Sequence, residues 1–491
     1  MRNLNSVAKN SAIIGVTRMS ARLLGLLGTI FVARILSPED YAVIAACMVA
    51  QDLGLRLQEI GIGQNVTTKK YISDDFLGSL FVVKATIGCL LTISIFFTSN
   101  TVSTWLGEPN VSMVLKALSF IFVIQSLSNI NLVVETRNQN FSPSMKVTII
   151  TKVISVSATL LFALLFENYW ALALGMLIAA FVSTLLSYVF SAPYVPRYFS
   201  LKEVKSIFSF SKWFTINQLV EFFNAKSGIV VLTKYFEAKI VGFFTIGLEI
   251  CMLFSLEITK AIDSANQVSL SKLKRSTSES DFSNILLLNL SQTTIIKSFL
   301  LLPVYLTFFF HSEFVVLVLL GEQWLELAPY FKYFALTSLV IGLSESFFKP
   351  ITIYRVPQKL IIISSIILIL RLIVLTIAVA YSDPLLIAYG SIVIQLIRLA
   401  IFIEILKKLA SLRFSSIAKV LTQIFPPFLI FLFFNYSFFS ISQYSLINII
   451  LSNISATAVF LFFCKAAKGS QFNFIYIKLI EQLRYPSKDV R

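Results

Sequence analysis

Residues 11–33 read SAIIGVTRMSARLLGLLGTIFVA. At about 1.5 Å of rise per residue, a helix over this stretch crosses the roughly 30 Å of hydrocarbon in a bilayer. Its charges, Arg18 and Arg22, lie inside the run rather than at its ends. Ser11, Gly15, Arg18, Arg22, Gly25 and Thr29 recur at steps of three and four, which gathers them on one helix face. Small residues beside two arginines leave room there for a bulky anionic group. Snorkelling is the alternative for Arg18, whereas Arg22 sits at the helix centre, where either interface is hard to reach.

The rest of the 491 residues agrees with a bilayer home. The chain is 57% apolar and 13% charged, about half the charge of a soluble domain, and its mean hydropathy is +0.82. Lys and Arg number 41 against 25 acids, a net charge of +16. On a soluble protein that excess points to nucleic acid; on a membrane protein it reports cytoplasmic loops. Cys47, Cys89, Cys251 and Cys464 fall within or at the ends of apolar runs without paired spacing, which suits packing rather than disulfides or metal. Arg2 and Lys9 precede the first apolar run without a cleavage site, so that run reads as a span and not a removable leader.

Fourteen spans are expected, at 11–33, 41–63, 76–98, 111–134, 147–166, 170–190, 207–232, 240–262, 285–310, 328–348, 360–381, 385–404, 417–436 and 444–464. With the N-terminus inside, the cytoplasmic connections and both termini hold about 24 basic residues, Lys69, Lys70, Arg197, Lys272, Lys274, Arg275, Lys407 and Lys408 among them; the outward connections hold about three, Arg34, Lys234 and Lys239. The bias places both ends in the cytoplasm and accounts for most of the positive charge without nucleic acid. The tail over 472–483 is amphipathic and suits the cytoplasmic interface.

Two weak repeats share an order. Residues 33–43 align with 233–243 at an offset of 200, as short outward turns. Leu106-Gly-Glu108 recurs as Leu320-Gly-Glu322, and Pro143 as Pro357, both at an offset of 214; the extra positions fit a polar loop over 263–284. The domains expected are therefore a six-helix repeat at 1–200, a second at 201–410, and a helix pair with a tail at 411–491. An even number of spans per repeat sets both halves in the same direction around an axis along the membrane normal.

An ionised group at mid-bilayer costs about 2.5–3.5 kcal/mol on insertion scales and is a functional candidate by default. Spans one, two, seven and eight collect Arg18, Arg22, Asp52, Arg56, Glu59, Lys212, Glu221, Lys226, Glu249, Glu257 and Lys260. These are the first two helices of each repeat, where the halves face a central cleft. Asp52, Arg56, Glu59 and Gly63 share a face; Arg56 reads equally as a ligand or as the centre of a bridge to Asp52 and Glu59. Span seven carries a polar stripe of Asn217, Glu221, Asn224 and Gly228, with Lys226 off the stripe, an interfacial anchor as readily as a ligand contact. Glu249 is central in span eight, while Glu257 and Lys260 near its cytoplasmic end suit a pair. Lys84, Lys116, Lys297, Arg371 and Arg398 are isolated and suit internal bridges or snorkelling.

Catalytic chemistry has little to stand on. The single histidine, His311, ends span nine, and neither a Walker-type phosphate loop nor a G-x-S-x-G elbow occurs. The longest outward connection, at 311–327, leaves no room for an external catalytic domain.

The first helix with its two arginines, followed by Phe31-Val-Ala-Arg-Ile-Leu-Ser-Pro-Glu-Asp-Tyr41, resembles bacterial polysaccharide flippases of the O-antigen and capsule type; Leu320-Gly-Glu-Gln-Trp324 resembles their second-half signature. The resemblance covers essentially the whole chain. Ala42 stands where that family commonly has glycine, and its duplicate is Gly242. The resemblance implies an all-α exporter of the multidrug/oligosaccharidyl-lipid/polysaccharide superfamily, not an enzyme. Its implied cargo is an undecaprenyl-diphosphate-linked oligosaccharide, carried by alternating access across the cytoplasmic (inner) membrane. Arg18, Arg22, Arg56 and Lys226 are then the candidate diphosphate ligands, and arginine forks match phosphate oxygens bidentately. It implies no organic cofactor, with Na+ or H+ coupling through Asp52, Glu221 or Glu249. Membrane lipids are implied partners, and a polysaccharide polymerase and chain-length machinery would follow. The rivals are a cation or drug antiporter of the same superfamily, which two mid-membrane arginines disfavour, and a polymerase, which commonly carries a large outward loop.

Overall fold

The computed structural model describes residues 2–59, 66, 71–196, 198–354, 357–441, 446–467, 471, 472 and 477, and among them the regular structure is all helical. In chain order the helices are α1 (Arg2–Ala33), α2 (Pro38–Glu59), α3 (Asp74–Leu106), α4 (Asn110–Ser126), α5 (Asn131–Arg137), α6 (Ser142–Phe166), α7 (Trp170–Phe190), α8 (Leu201–Tyr235) and α9 (Ala238–Ser276). Then follow α10 (Glu279–Phe310), α11 (Ser312–Leu320), a 3-10 turn (Glu322–Leu327), α12 (Ala328–Ile353), α13 (Pro357–Ala380), α14 (Leu385–Leu409), α15 (Phe414–Thr422), α16 (Phe425–Ile441) and α17 (Leu446–Ala466).

Among the described residues ten helices are long and apolar enough to cross a membrane, or eleven if the bent pair α4–α5 is one span. The count of fourteen is thus not confirmed. The three remaining expected spans are α1, which among the described residues counts as a shorter apolar helix over Met19–Ala33, and α2 and α8, long helices with charges inside them. They carry Arg18 and Arg22, Asp52 and Arg56, and Glu221 and Lys226. Large apolar side chains such as Leu90, Phe97, Leu161, Leu164 and Leu165 stand exposed on α3 and α6, as a lipid-facing surface requires.

Contacts divide the chain into two compact units, residues 1–246 with 375–384, and residues 247–374 with 385–491. In the first, α8 packs on α2 and α3, α1 on α6, and α4 on α2 and α7. Its core joins Val43, Cys47, Val111, Val114, Leu118, Ala173 and Ala180. In the second, α10 packs on α12 and α16, and α12 on α14. Phe282, Leu286, Phe347, Ile351, Phe402 and Leu406 form its core. Cys47, Cys251 and Cys464 are buried, while Cys89 is exposed.

Three boundaries differ from expectation. The fourth span is not one helix: α4 and α5 meet at 59°. Asn129 fixes that break. Its side-chain amide donates to the carbonyls of Ser187, Ser191 and Ala192 at 3.2, 3.3 and 2.9 Å, and its own N–H donates to Ser187 Oγ at 2.9 Å. Asn129→Ala is expected to lower stability by about 2 kcal/mol, because buried carbonyls lose their donors; a thermal melt of the purified protein checks it. Secondly, the polar stretch 263–276 continues α9 instead of looping. It lacks Gly and Pro, and Leu270 and Leu273 anchor it to the core. Lastly, the connection 311–327 is folded as α11 and the 3-10 turn, with Trp324 fully buried. Of the amphipathic tail, Phe472 packs on Phe460 and Phe463; almost all of the rest lies outside the described residues.

The sequence signatures turn out to be architectural. Ser37 caps α2: its Oγ accepts from Asp40 N–H at 3.2 Å, and its N–H and Oγ donate to Asp40 Oδ2 at 3.0 and 2.7 Å, a reciprocal capping box. Pro38 then occupies the first helical position, where no N–H is needed. Asp40 Oδ1 accepts from Tyr169 N–H at 2.9 Å, tying the start of α2 to the start of α7. Gly107 and Gly321, the paired Leu-Gly-Glu glycines, close α3 and α11 at φ of 78° and 101°, a region that favours glycine. Both turn pairs also align in register. Pro38 and Ala238 begin α2 and α9, and Leu106 and Leu320 end α3 and α11, at the offsets of 200 and 214.

Candidate functional site

The first unit brings four of the polar residues on α2 and α8 together. Lys226 Nζ lies 3.2 Å from Asp52 Oδ2, and both side chains are about a quarter to a third exposed, at 21% and 35%. Arg56 Nη1 donates to Gln218 Oε1 at 3.4 Å. Numbers rise along α2 while they fall along α8, so the two helices run antiparallel and the two links tie them. Asp52 therefore finds its cation across the helix pair. The side chain of Glu59 lies outside the described residues, as does Gly63.

These pairings separate the candidates. Lys226 is matched by a carboxylate, and such a half-exposed pair is worth about 0–1 kcal/mol. Arg56 faces a neutral carboxamide, so its charge is not cancelled by that partner. An arginine held by a neutral acceptor keeps free N–H groups for an anion. Glu221, between these two links on α8, is exposed.

Arg22 is half-buried on α1. One turn along, a Cβ added at Gly25 would stand 2.8 Å from Lys152 Nζ, so the lysine stem of α6 lies across the glycine. Gly28 takes Val156 in the same way, at 2.7 Å. The small face of α1 therefore receives α6, and it brings Lys152 to within a turn of Arg22. Sequence reasoning missed Lys152. Its signal was present, a lysine well inside the apolar run 147–166, but nothing in the sequence pairs it with Gly25. Arg18 is helical and its side chain lies outside the described residues.

In the second unit Glu249 is exposed. Lys297, expected either to bridge internally or to snorkel, is fully buried against Asp263 at 2.7 Å. A cavity of about 370 Å³ lies where α9 and α14 end and α10 begins, lined by Lys274, Glu279, Phe282, Tyr354 and Ser411 among others. Lys274 Nζ sits 3.0 Å from the centroid of the Tyr354 ring, and burial pushes the Tyr354 hydroxyl up to about 12. Its size falls at the low end of small-molecule pockets.

The model of the polysaccharide biosynthesis protein family matches residues 31–329, more than half of the chain. The succinoglycan biosynthesis transport protein ExoT of Rhizobium meliloti is 22% identical over 64% of this chain and 63% of its own length. The lipopolysaccharide biosynthesis protein WzxC of Escherichia coli is 23% identical over 70% of this chain and 68% of its own. This chain thus spans about two thirds of the curated relatives it matches. Among solved structures, the lipid II flippase MurJ in an inward closed conformation superposes with a TM-score of 0.70 at 14% identity, over 96% of this chain and 100% of that one. At that identity the likeness concerns the fold. This multi-pass membrane chain belongs to the polysaccharide biosynthesis protein family and has the fold of the MurJ flippase.

Proposed function

We propose that the chain is a flippase that moves undecaprenyl-diphosphate-linked oligosaccharide repeat units across the bacterial cytoplasmic membrane, by alternating access and without catalysis of its own. Both termini face the cytoplasm in this reading, as the Lys/Arg bias favours, and the two halves descend from one six-helix repeat. The shared glycine caps at Gly107 and Gly321 support that duplication. The observation that carries the function is the set of cations within the helices of the first unit: Arg22, with Lys152 one turn away, and Arg56 held by a neutral amide. A diphosphate needs fixed cations of this kind, and arginine supplies bidentate donors. Arg18 joins this set by its place on α1. Lys226 is a weaker ligand while Asp52 holds it. Coupling to Na+ or H+ falls to Asp52, Glu221 or Glu249, with the Asp52–Lys226 contact the first place to look.

The test is the lipid-linked sugar pool, by mass and by leaflet, in cells lacking the protein and rescued at matched expression. Wild type is expected to clear repeat units stranded on the cytoplasmic side. Arg22→Ala is expected to slow clearance about 10- to 100-fold, the worth of one lost charge-assisted bond to phosphate. Clearance by both would return Arg22 to a structural role. Unpolymerised units on the outer face would point to a polymerase, and an unchanged pool with altered resistance to cationic drugs to an antiporter.

A further inference from the structure

Three helices of the second unit turn polar faces inward. On α9, Ser255, Thr259 and Asp263 recur at steps of four, and all three are buried. On α10 stand Thr294, Lys297 and Ser298, each at 0% exposure. On α12, Ser338, Gly342 and Ser346 again recur at steps of four. The faces meet. Lys297 Nζ lies 2.7 Å from Asp263 Oδ1 and 3.4 Å from the Gly342 carbonyl oxygen. A Cβ added at Gly342 would strike Ser255 Oγ at 2.5 Å, so α9 and α12 are in close contact. The next charges are Glu345 and Lys349 on α12, which pair with each other at 3.6 Å.

Such a centre is not what stability alone selects, since a buried ion pair is often no better than apolar residues of the same volume. Oxygen is its common element: a carboxylate, a main-chain carbonyl, and the hydroxyls of Ser298, Ser338 and Ser346, which are buried without a hydrogen-bond partner among the described residues. Hard cations take oxygen ligands of these kinds. The ammonium of Lys297 sits where such an ion would sit.

We propose that Asp263, the Gly342 carbonyl and the neighbouring hydroxyls form a site for a small monovalent cation, and that the chain's own Lys297 fills it as a tethered substitute. The second unit is then charge-balanced at its centre without a free ion. Removing the lysine converts the site into one that takes Na+ or K+ from solution. This inference stands whether or not the protein is a flippase.

The experiment uses the full chain purified in detergent and melted in NaCl, KCl or choline chloride at equal ionic strength. Wild type is expected to melt at one temperature in all three. Lys297→Ser is expected to melt lower in choline chloride and to recover by at least about 2 °C in NaCl or KCl, because a ligand that binds only the folded state stabilises it. Asp263→Asn/Lys297→Met, a neutral pair, is expected to show no response to the ion. A Lys297→Ser melt independent of the ion overturns the proposal. So does a wild type already stabilised by Na+ or K+ over choline, or a double variant that keeps the response. If Lys297→Ser does not accumulate, retention of radioactive Na+ by Lys297→Ala is measured instead. No retention above wild type, or no folded protein in any salt, overturns it equally.

Discussion

Asp263→Ala is expected to destabilise the protein by about 3–5 kcal/mol, the range for removing one partner of a buried ion pair. The reason is what the substitution leaves behind. Lys297 is 0% exposed, so its ammonium cannot turn to water, and its remaining acceptor is the Gly342 carbonyl at 3.4 Å. A longer hydrogen bond to a neutral oxygen does not replace a 2.7 Å contact with a carboxylate. Asp263→Leu/Lys297→Met removes both charges and is expected to recover most of the loss. The cycle of single and double variants then gives the interaction free energy of the pair. Thermal or denaturant unfolding in detergent measures all of these. An Asp263→Ala protein within about 1 kcal/mol of wild type would mean that Lys297 had found a second acid, with Glu345 on α12 the nearest candidate.

Gly242→Ala is expected to cost about 1–3 kcal/mol or more by overpacking. A Cβ there would stand 2.0 Å from the Pro38 carbonyl oxygen and 2.7 Å from its carbon. The obstacle is backbone, held by the Ser37–Asp40 capping box, so the starts of α2 and α9 must move apart. Two other glycines isolate the cause. At Gly228 nothing lies within 4 Å of an added Cβ, and alanine should be neutral or slightly stabilising by helix propensity. At Gly25 the obstacle is the flexible end of Lys152, which can swing aside. A melting series over the three variants is expected to show a large loss for Gly242→Ala alone. Equal melts would mean that the Pro38 contact relaxes freely.

Apolar runs told the sequence reader where most helices end, because burial in lipid is a local demand. Residues 170–190 became α7 without a shift, and the run ending at Phe310 ends α10. Boundaries failed where a long-range contact decides. Nothing near Asn129 announces the break between α4 and α5; its partners lie some sixty residues onward, at Ser187 and Ala192. The reading of 263–284 as a loop hid Asp263, since a carboxylate assigned to water raises no question. Lys297 was seen, but its partner was not. On α2, spacing left Arg56 equally a ligand or the centre of a bridge within its helix, and did not point to Gln218 on α8, the partner observed. Pairings between helices depend on rotation and depth, which periodicity leaves open. The two quoted signatures, Ser37-Pro-Glu-Asp40 and Leu320-Gly-Glu322, were legible as family marks, yet they cap helices and turns and touch no proposed ligand.

The charges set inside α1, α2 and α8 reach back to how the chain is made. Of these, α1 and α2 leave the ribosome before α3 offers a partner. A charged residue at a helix centre costs about 2.5–3.5 kcal/mol on the translocon's own scale, so neither helix partitions into lipid by itself. Each must be held in the protein-lined channel or at the headgroup boundary until strongly apolar successors arrive. The order of synthesis thereby becomes part of the fold. The helices that line the proposed path for an anionic cargo are the ones the membrane accepts last, as passengers of their neighbours.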